Sequence, residues 1–324
     1  MAAPLLLTSE SSGAPTLNGV NGSLPAVLRW ALVQNGWTVE YGPSGNAAVF
    51  RPGSGNRFRL YVNHDNTVSG SAALATVRGC EDASSATTLI DPFPTVAQVA
   101  NDFATWIVSA TVNATARRYK ILVGEDFVIL SVATNSSGEW DTNFFGDMKG
   151  ARAEDAYNTA ISCRNSQNTG SSSYHFFYNL QTIGFAQAVT VAAARVYWCR
   201  DITGMVKSSK GNIRASSPSF GYIPSAWAAL SGYGNRFERE KVALHCTADA
   251  SNVSSTLGIG SQTARGWVPN LWGGMHSAYG AVSPEDTFAD TEYDPTASFT
   301  VLHVYQNSYM AILETTDTWS PPNG

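Results

Sequence analysis

The chain has 324 residues, 44% of them apolar, enough for one large core or two ordinary ones, which excludes a globally disordered polymer. Its formal net charge is −5 with acidic and basic residues intermixed and no run of Lys or Arg, which argues against a phosphate-neutralising face for nucleic acid. Charged residues make up only 14% of the chain, against roughly 25% in soluble domains, beside 9 Trp and 13 Tyr; charge depletion with aromatic enrichment is the composition of a subunit interface.

In chain order, the first ten residues offer only Pro4–Leu5–Leu6–Leu7 as an apolar stretch with no basic residue before it, so neither a signal peptide nor a membrane span is expected. A helix is predicted from Ser23, whose hydroxyl would cap it, with Leu24, Val27, Leu28, Ala31 and Leu32 on one stripe and Asn35–Gly36 as its end. Arg57–Val62 alternates Phe58, Leu60 and Val62 with polar or amphipathic residues, the period of a half-buried strand. Thr95–Val96–Ala97–Gln98 has the form of a capping box and predicts a second helix with Val96, Val99, Ala100, Phe103 and Trp106 facing inward. Tyr119–Val123 and Phe127–Val132, separated by Gly124–Glu125–Asp126, predict a hairpin, as do Ser298–Tyr305 and Tyr309–Glu314 around Gln306–Asn307–Ser308.

The fold class expected from these elements is α+β with β dominant: antiparallel sheets or a sandwich, with two or three amphipathic helices in the N-terminal half. The polar run from Asn165 to Ser173 suggests an N-terminal α+β domain over 1–164 and a C-terminal β-rich domain over 165–324, with a long hairpin loop inside one domain as the alternative. No internal repeat is visible.

Chemistry is sparse. There is no Walker loop, HExxH, GxSxG or dinucleotide fingerprint, and Gly53–Ser54–Gly55–Asn56 precedes a strand where a phosphate loop would open a helix. His64, His175, His245, His276 and His303 stand apart, and Cys80, Cys163, Cys199 and Cys246 lack metal-ligand spacing; the four are read as buried free thiols, and no metal or cofactor is expected. The carboxylate pairs Asp147 with Asp155 and Glu285 with Asp286 are the catalytic option, as in a glycan hydrolase. Turn capping is the preferred reading of each, so no catalytic residue is assigned. Tyr197 with Trp198, Tyr222 with Trp227, and Trp267 with Trp272 could stack sugars, yet core or interface packing is the commoner use of such clusters.

One resemblance runs the length of the chain. Gly13–Ala14–Pro15–Thr16–Leu17–Asn18–Gly19 with Gly22–Ser23–Leu24, Phe50–Arg51–Pro52–Gly53–Ser54–Gly55–Asn56–Arg57–Phe58, Val77–Arg78–Gly79, Ala114–Thr115–Ala116–Arg117, Phe145–Gly146–Asp147 and Asp155–Ala156–Tyr157 form an ordered series of blocks. Arg265–Gly266–Trp267–Val268–Pro269–Asn270–Leu271–Trp272, then Glu285–Asp286–Thr287–Phe288, then Leu313–Glu314–Thr315–Thr316–Asp317–Thr318–Trp319 complete it. The series resembles a family of virion structural proteins of tailed bacteriophages, which has GAPxLxG, FRPGxGNRF, FGD…DAY, RGxxPGLW, GDTF and ETSDTW segments in this order. Asn270 and Pro284 depart from it, standing where the family more often has Gly, and few positions between Asn165 and Arg236 align.

The resemblance implies a virion component assembled in the bacterial cytoplasm, not an enzyme, most simply at the tail tip or baseplate. Its partners would be other virion proteins and further copies of itself; a head-decoration protein and a receptor-binding protein that contacts host surface glycan are the alternatives. Trp267, Trp272, Tyr309 and Trp319 are the interface candidates, with Trp319 expected to pack on the Trp267–Trp272 segment or on a neighbour.

Overall fold

In the computed structural model the described residues are 3–67, 72–99, 104–135, 140–149, 155–164, 194–201, 204–205, 207–215, 237–246, 264–276, 286–289, 296–305 and 309–316. They form a β-dominant fold in which every strand pairing is antiparallel, with one α-helix, α1 (Ser23–Leu32).

The strands make two ladders. In the first, β2 (Thr38–Tyr41), β3 (Ala47–Arg51), β4 (Arg59–Asn63) and β5 (Ala73–Ala83) pair in sequence, while β6 (Leu89–Phe93) and β7 (Thr105–Ser109) share the far edge of β5. The second begins with β1 (Leu5–Thr8) on β8 (Tyr119–Val123) and continues through β9 (Phe127–Ala133), β10 (Trp140–Asp147), β11 (Thr159–Arg164) and β12 (Ala194–Arg200). It then runs through β13 (Lys207–Ala215), β14 (Phe237–Cys246) and β15 (Ala264–His276) to β18 (Tyr309–Glu314), β17 (Ser298–Tyr305) and β16 (Thr287–Ala289). The ladders meet where Arg164 of β11 pairs with Thr105 of β7.

Alternation along β8–β12 sends their apolar residues into two clusters, one on each face. Ile121, Val123, Val128, Leu130, Phe145, Ile161 and Tyr197 join one apolar cluster with α1 and the β3–β5 strands. Leu122, Phe127, Ile129, Phe144, Ala160, Val196 and Trp198 join a second with Val268, Leu271, Leu302 and Leu313. A strand buried on both faces reads as a near-continuous apolar run, as Tyr119–Val123 and Phe127–Val132 do but for Lys120 and Ser131.

Helix α1 has the predicted span and stripe: Leu24, Val27, Leu28, Ala31 and Leu32 are all fully buried, and Gly36 at φ 85° ends the following 3₁₀ turn. Its cap differs from expectation. Gly22 is the N-cap, and the Ser23 hydroxyl donates to the Asn18 carbonyl at 2.6 Å. The buried His64 ring instead accepts the Leu24 N–H at Nδ1, 3.4 Å away, so the free end of the helix is met by a residue that follows β4. Leu28→Ala should destabilise the fold by about 2–5 kcal/mol; an unchanged thermal melt would show that this stripe contributes nothing to the core.

The second predicted helix is corrected. Thr95 starts only a single 3₁₀ turn, Val96–Gln98, although the Gln98 side chain does accept the Thr95 N–H at 2.9 Å. Val99 is already extended, Val96 is 55% exposed, and Trp106 is a fully buried residue of strand β7. The β-branched and aromatic run Thr105–Trp106–Ile107–Val108 pairs with β5, and that pairing overrides the local helix signal. Ala100 and Phe103 lie outside the described residues.

Both predicted hairpins form, β8 with β9 and β17 with β18. The strand predicted from Arg57 starts at Arg59, because Arg57 takes φ 60°. The division expected after residue 164 falls on residues outside the described ones; β11 and β12, which flank it, pair with each other. No described helix is long and apolar enough to cross a membrane.

Candidate functional site

Polar side chains from several of the segments quoted above converge on three buried or half-buried ties, each joining segments far apart in sequence. The first holds the Arg51–Phe58 loop. Gly53 and Ser54 donate backbone N–H groups to the Glu125 carbonyl at 2.9 and 3.3 Å, in the β8–β9 turn. Asn56 donates its backbone N–H to Asp147 Oδ2 at 2.6 Å and its side-chain amide to Asn158 Oδ1 at 2.6 Å. Thr159 donates its hydroxyl to Asp147 Oδ1, and Lys149 pairs with Asp126 beside it.

Burial pushes the Asp147 carboxyl up to about 6, with the nearby Asp126 carboxylate adding to the rise; the Thr159 and Asn56 donors and the Lys149 ammonium oppose it. The folded chain therefore binds more protons than the unfolded one between the ordinary value of 3.8 and about 6, and this contribution to stability is lost as pH rises through 6. His64 acts in the other direction, since burial lowers its ring to about 4 and its contribution is lost as pH falls from 6.5 through 4. Asp147→Asn should remove the first effect alone, changing the difference in stability between pH 4 and pH 7 by on the order of 2 kcal/mol. Urea melts at the two pH values measure it, and parallel profiles for variant and parent would refute the assignment.

The second tie is an ion pair with almost no solvent contact. Arg265 Nε meets Asp155 Oδ2 at 2.6 Å and its second nitrogen meets Oδ1 at 2.9 Å, with side chains 1% and 0% exposed. The same guanidinium donates to the Arg200 and Tyr157 carbonyls at 2.6 and 2.7 Å and lies 4.3 Å from the Trp198 ring centroid. Arg200 in turn stacks over Tyr157 at 4.9 Å and makes a two-point pair with Glu81 at 2.5 and 2.6 Å. A chain of contacts thus runs from β5 through β12 to β15. A planar fork with five donors suits this place, where a lysine would leave carbonyls unmet.

The third tie fixes the end of the described chain. Trp272 donates its indole N–H to Glu314 Oε2 at 2.8 Å and lies edge-on to Phe299 at 6.4 Å. Asn270, at φ 58°, donates its amide to the Glu314 and Thr316 carbonyls at 3.1 and 3.2 Å. Asparagine at this position has a physical reason. Asparagine tolerates the left-handed region better than most residues, and here its side chain holds two carbonyls a glycine could not reach.

The predicted interface residues have separate fates. Trp267 is half-buried, and its backbone bridges Lys149 in both directions at 3.0 and 2.9 Å. Trp272 is half-buried and committed to Glu314. Tyr309 pairs with Met275 and Tyr305 through the backbone, and Trp319 lies outside the described residues.

Asp155 also accepts the Tyr157 N–H at 3.1 Å, an Asx-turn, while Asp147, expected to cap the turn before Asp155, accepts instead from Asn56 and Thr159. Each oxygen of Asp147 and of Asp155 already accepts a donor from this chain, so the two do not form an open acid–base pair. Glu285 is outside the described residues, and the Asp286 carbonyl accepts the Val301 N–H at 2.8 Å. Tyr197 and Trp198 are fully buried and offer no ring face to a sugar, while Tyr222 and Trp227 lie outside the described residues. Cys80, Cys163 and Cys199 are buried free thiols, and burial raises Cys80 and Cys199 to about 12; the Cys246 side chain is not among those described.

Sequence reasoning missed Arg265 as the partner of Asp155, Asn56 as the partner of Asp147, and His64 as the cap of α1. The available signal was that each belongs to, or follows, a block rich in glycine and in side chains able to bond the backbone. Compared with models of protein families and with curated proteins, the sequence matches none.

Proposed function

We propose that this chain is a structural subunit of a tailed-phage virion, most simply at the tail tip or baseplate periphery, present in several copies and contacting other virion proteins. One observation carries the reading beyond composition. The blocks that carry the resemblance are the ones that meet in space: Asn56 on Asp147, Asp155 on Arg265, Trp272 on Glu314, and Leu17 on Arg117. Their polar groups are consumed in tying distant segments of one chain together, which is what a load-carrying subunit needs and what a reaction centre cannot spare.

The low charged fraction, 14%, supports repeated contact with other proteins. Electron microscopy of intact particles with an antibody against this chain tests the reading. Label at the tail end supports it, label on capsid lattice points moves the chain to the head, and particles carrying no label overturn a virion role altogether.

A further inference from the structure

The open end of the β9–β10 hairpin is reached where Phe127 pairs with Gly146, and three ionisable side chains gather just beyond that pair. Lys149 Nζ meets Asp126 Oδ2, with side chains 25% and 8% exposed. Asp147 is the third. A Cβ placed on Gly55 would lie 2.3 Å from Asp147 Oδ2 and 2.9 Å from Asp126 Cβ, so the two acids flank one point. The backbone holds all three residues in place: Asp147 donates its N–H to the Asp126 carbonyl at 3.0 Å, Met148 donates to the Asn158 carbonyl at 3.1 Å, and Lys149 exchanges bonds with Trp267 at 3.0 and 2.9 Å. Phe127 and Met148, the chain neighbours of Asp126 and Lys149, are buried in the second apolar cluster. An exposed ion pair is loosely held and bathed in water; this one is pinned from both sides and stands next to a second acid.

We propose that Lys149 and Asp126 condense into a side-chain amide that covalently closes the open end of the β9–β10 hairpin. The step happens once within the chain and balances without a co-reactant. Inside the ion pair the ammonium passes one proton to the carboxylate, leaving a neutral amine beside a neutral acid. The amine nitrogen attacks Asp126 Cγ and a C–N bond forms. Neutral Asp147 gives its proton to one hydroxyl of the adduct, the C–O bond breaks with loss of one water molecule, and Asp147 recovers a proton from the nitrogen. Groups held in attack geometry act as if at an effective concentration on the order of 10⁵ M or more, which lets an amine and an acid join where dilute ones do not. Burial pushes the Asp147 carboxyl up to about 6, so below that pH it carries the proton the leaving hydroxyl needs. The bond joins the β8–β9 turn to the segment that Trp267 pairs with, which suits a load-carrying chain and does not depend on a place in the virion.

Denaturing mass spectrometry of the full, folded chain tests the bond. The parent should weigh one water molecule less than its sequence, and trypsin should release a branched peptide that contains both Asp126 and Lys149, uncut after the lysine. Lys149→Arg keeps the ion pair and cannot condense, so it should show the full sequence mass with the parent's circular dichroism. In chain made by cell-free synthesis and sampled with time, Asp147→Asn should form the bond at least about ten-fold more slowly. The parent's rate should fall as pH rises through about 6, and the variant's should not, a difference that a merely structural role for Asp147 would not produce.

A folded parent of full sequence mass overturns the proposal, and so does a water loss whose fragments place it on residues other than Asp126 and Lys149. Equal rates and equal pH profiles for parent and Asp147→Asn would overturn the role given to Asp147. Antibody label at the tail end on a chain of full mass would discard the crosslink and leave the virion reading standing, while a crosslinked chain absent from particles would do the reverse.

Discussion

Asp155→Ala is expected to destabilise the fold by about 3–5 kcal/mol, among the largest effects of any single substitution in the described residues. The change takes the two-point carboxylate away from the Arg265 guanidinium, which is 1% exposed and also holds the Arg200 and Tyr157 carbonyls and the Trp198 ring. Arg265→Ala should cost as much for a different reason: it removes the two-point cation from the Asp155 carboxylate and a donor from each of those two carbonyls. The cost belongs to the unpaired remainder, so Asp155→Ala combined with Arg265→Ala should lose much less than the sum of the single changes. Denaturant melts of the three variants form a cycle. Additive losses would mean the two groups act independently, against the bidentate geometry.

The ladder partners of this pair show what could and could not be read from sequence. Helix α1 was legible because five apolar residues at helical spacing and an Asn–Gly end are local signals, and β8–β9 and β17–β18 because short polar turns separate apolar runs. The Thr95 turn was misread for the same locality: its capping box is real, but the energy of Trp106–Val108 is realised against β5, some thirty residues earlier. Ser23 fitted the cap position by type and lost it to His64, which only the pairing of β4 brings near.

The ties themselves were present in the sequence as ordered blocks, yet nothing in spacing says that a loop at 51–58 will rest on Asp147 or that Asp155 will find Arg265. Such contacts are set by strand register across two ladders. A one-residue slip of β10 or β15 would turn Asp147 or Arg265 to the opposite face.

Gly55→Val is the second change expected to act strongly, with a loss of about 3 kcal/mol or more. Two costs combine. Gly55 sits at φ 67°, where a residue with a side chain pays roughly 1–3 kcal/mol and a β-branched one the most. Any Cβ there would also lie 2.3 Å from Asp147 Oδ2 and 2.9 Å from Asp126 Cβ. The carboxylate that anchors the loop would have to leave, taking with it the bonds from the Asn56 N–H and the Thr159 hydroxyl. Gly45→Val is the control: it has a similar φ of 84°, and nothing lies within 4 Å of the added Cβ, so it should show the backbone cost alone. Melting of both variants separates strain from collision. Equal losses at the two positions would mean that the Asp147 contact adds nothing, and the Arg51–Phe58 loop would then be held by its Glu125 carbonyl bonds rather than by the buried carboxylate.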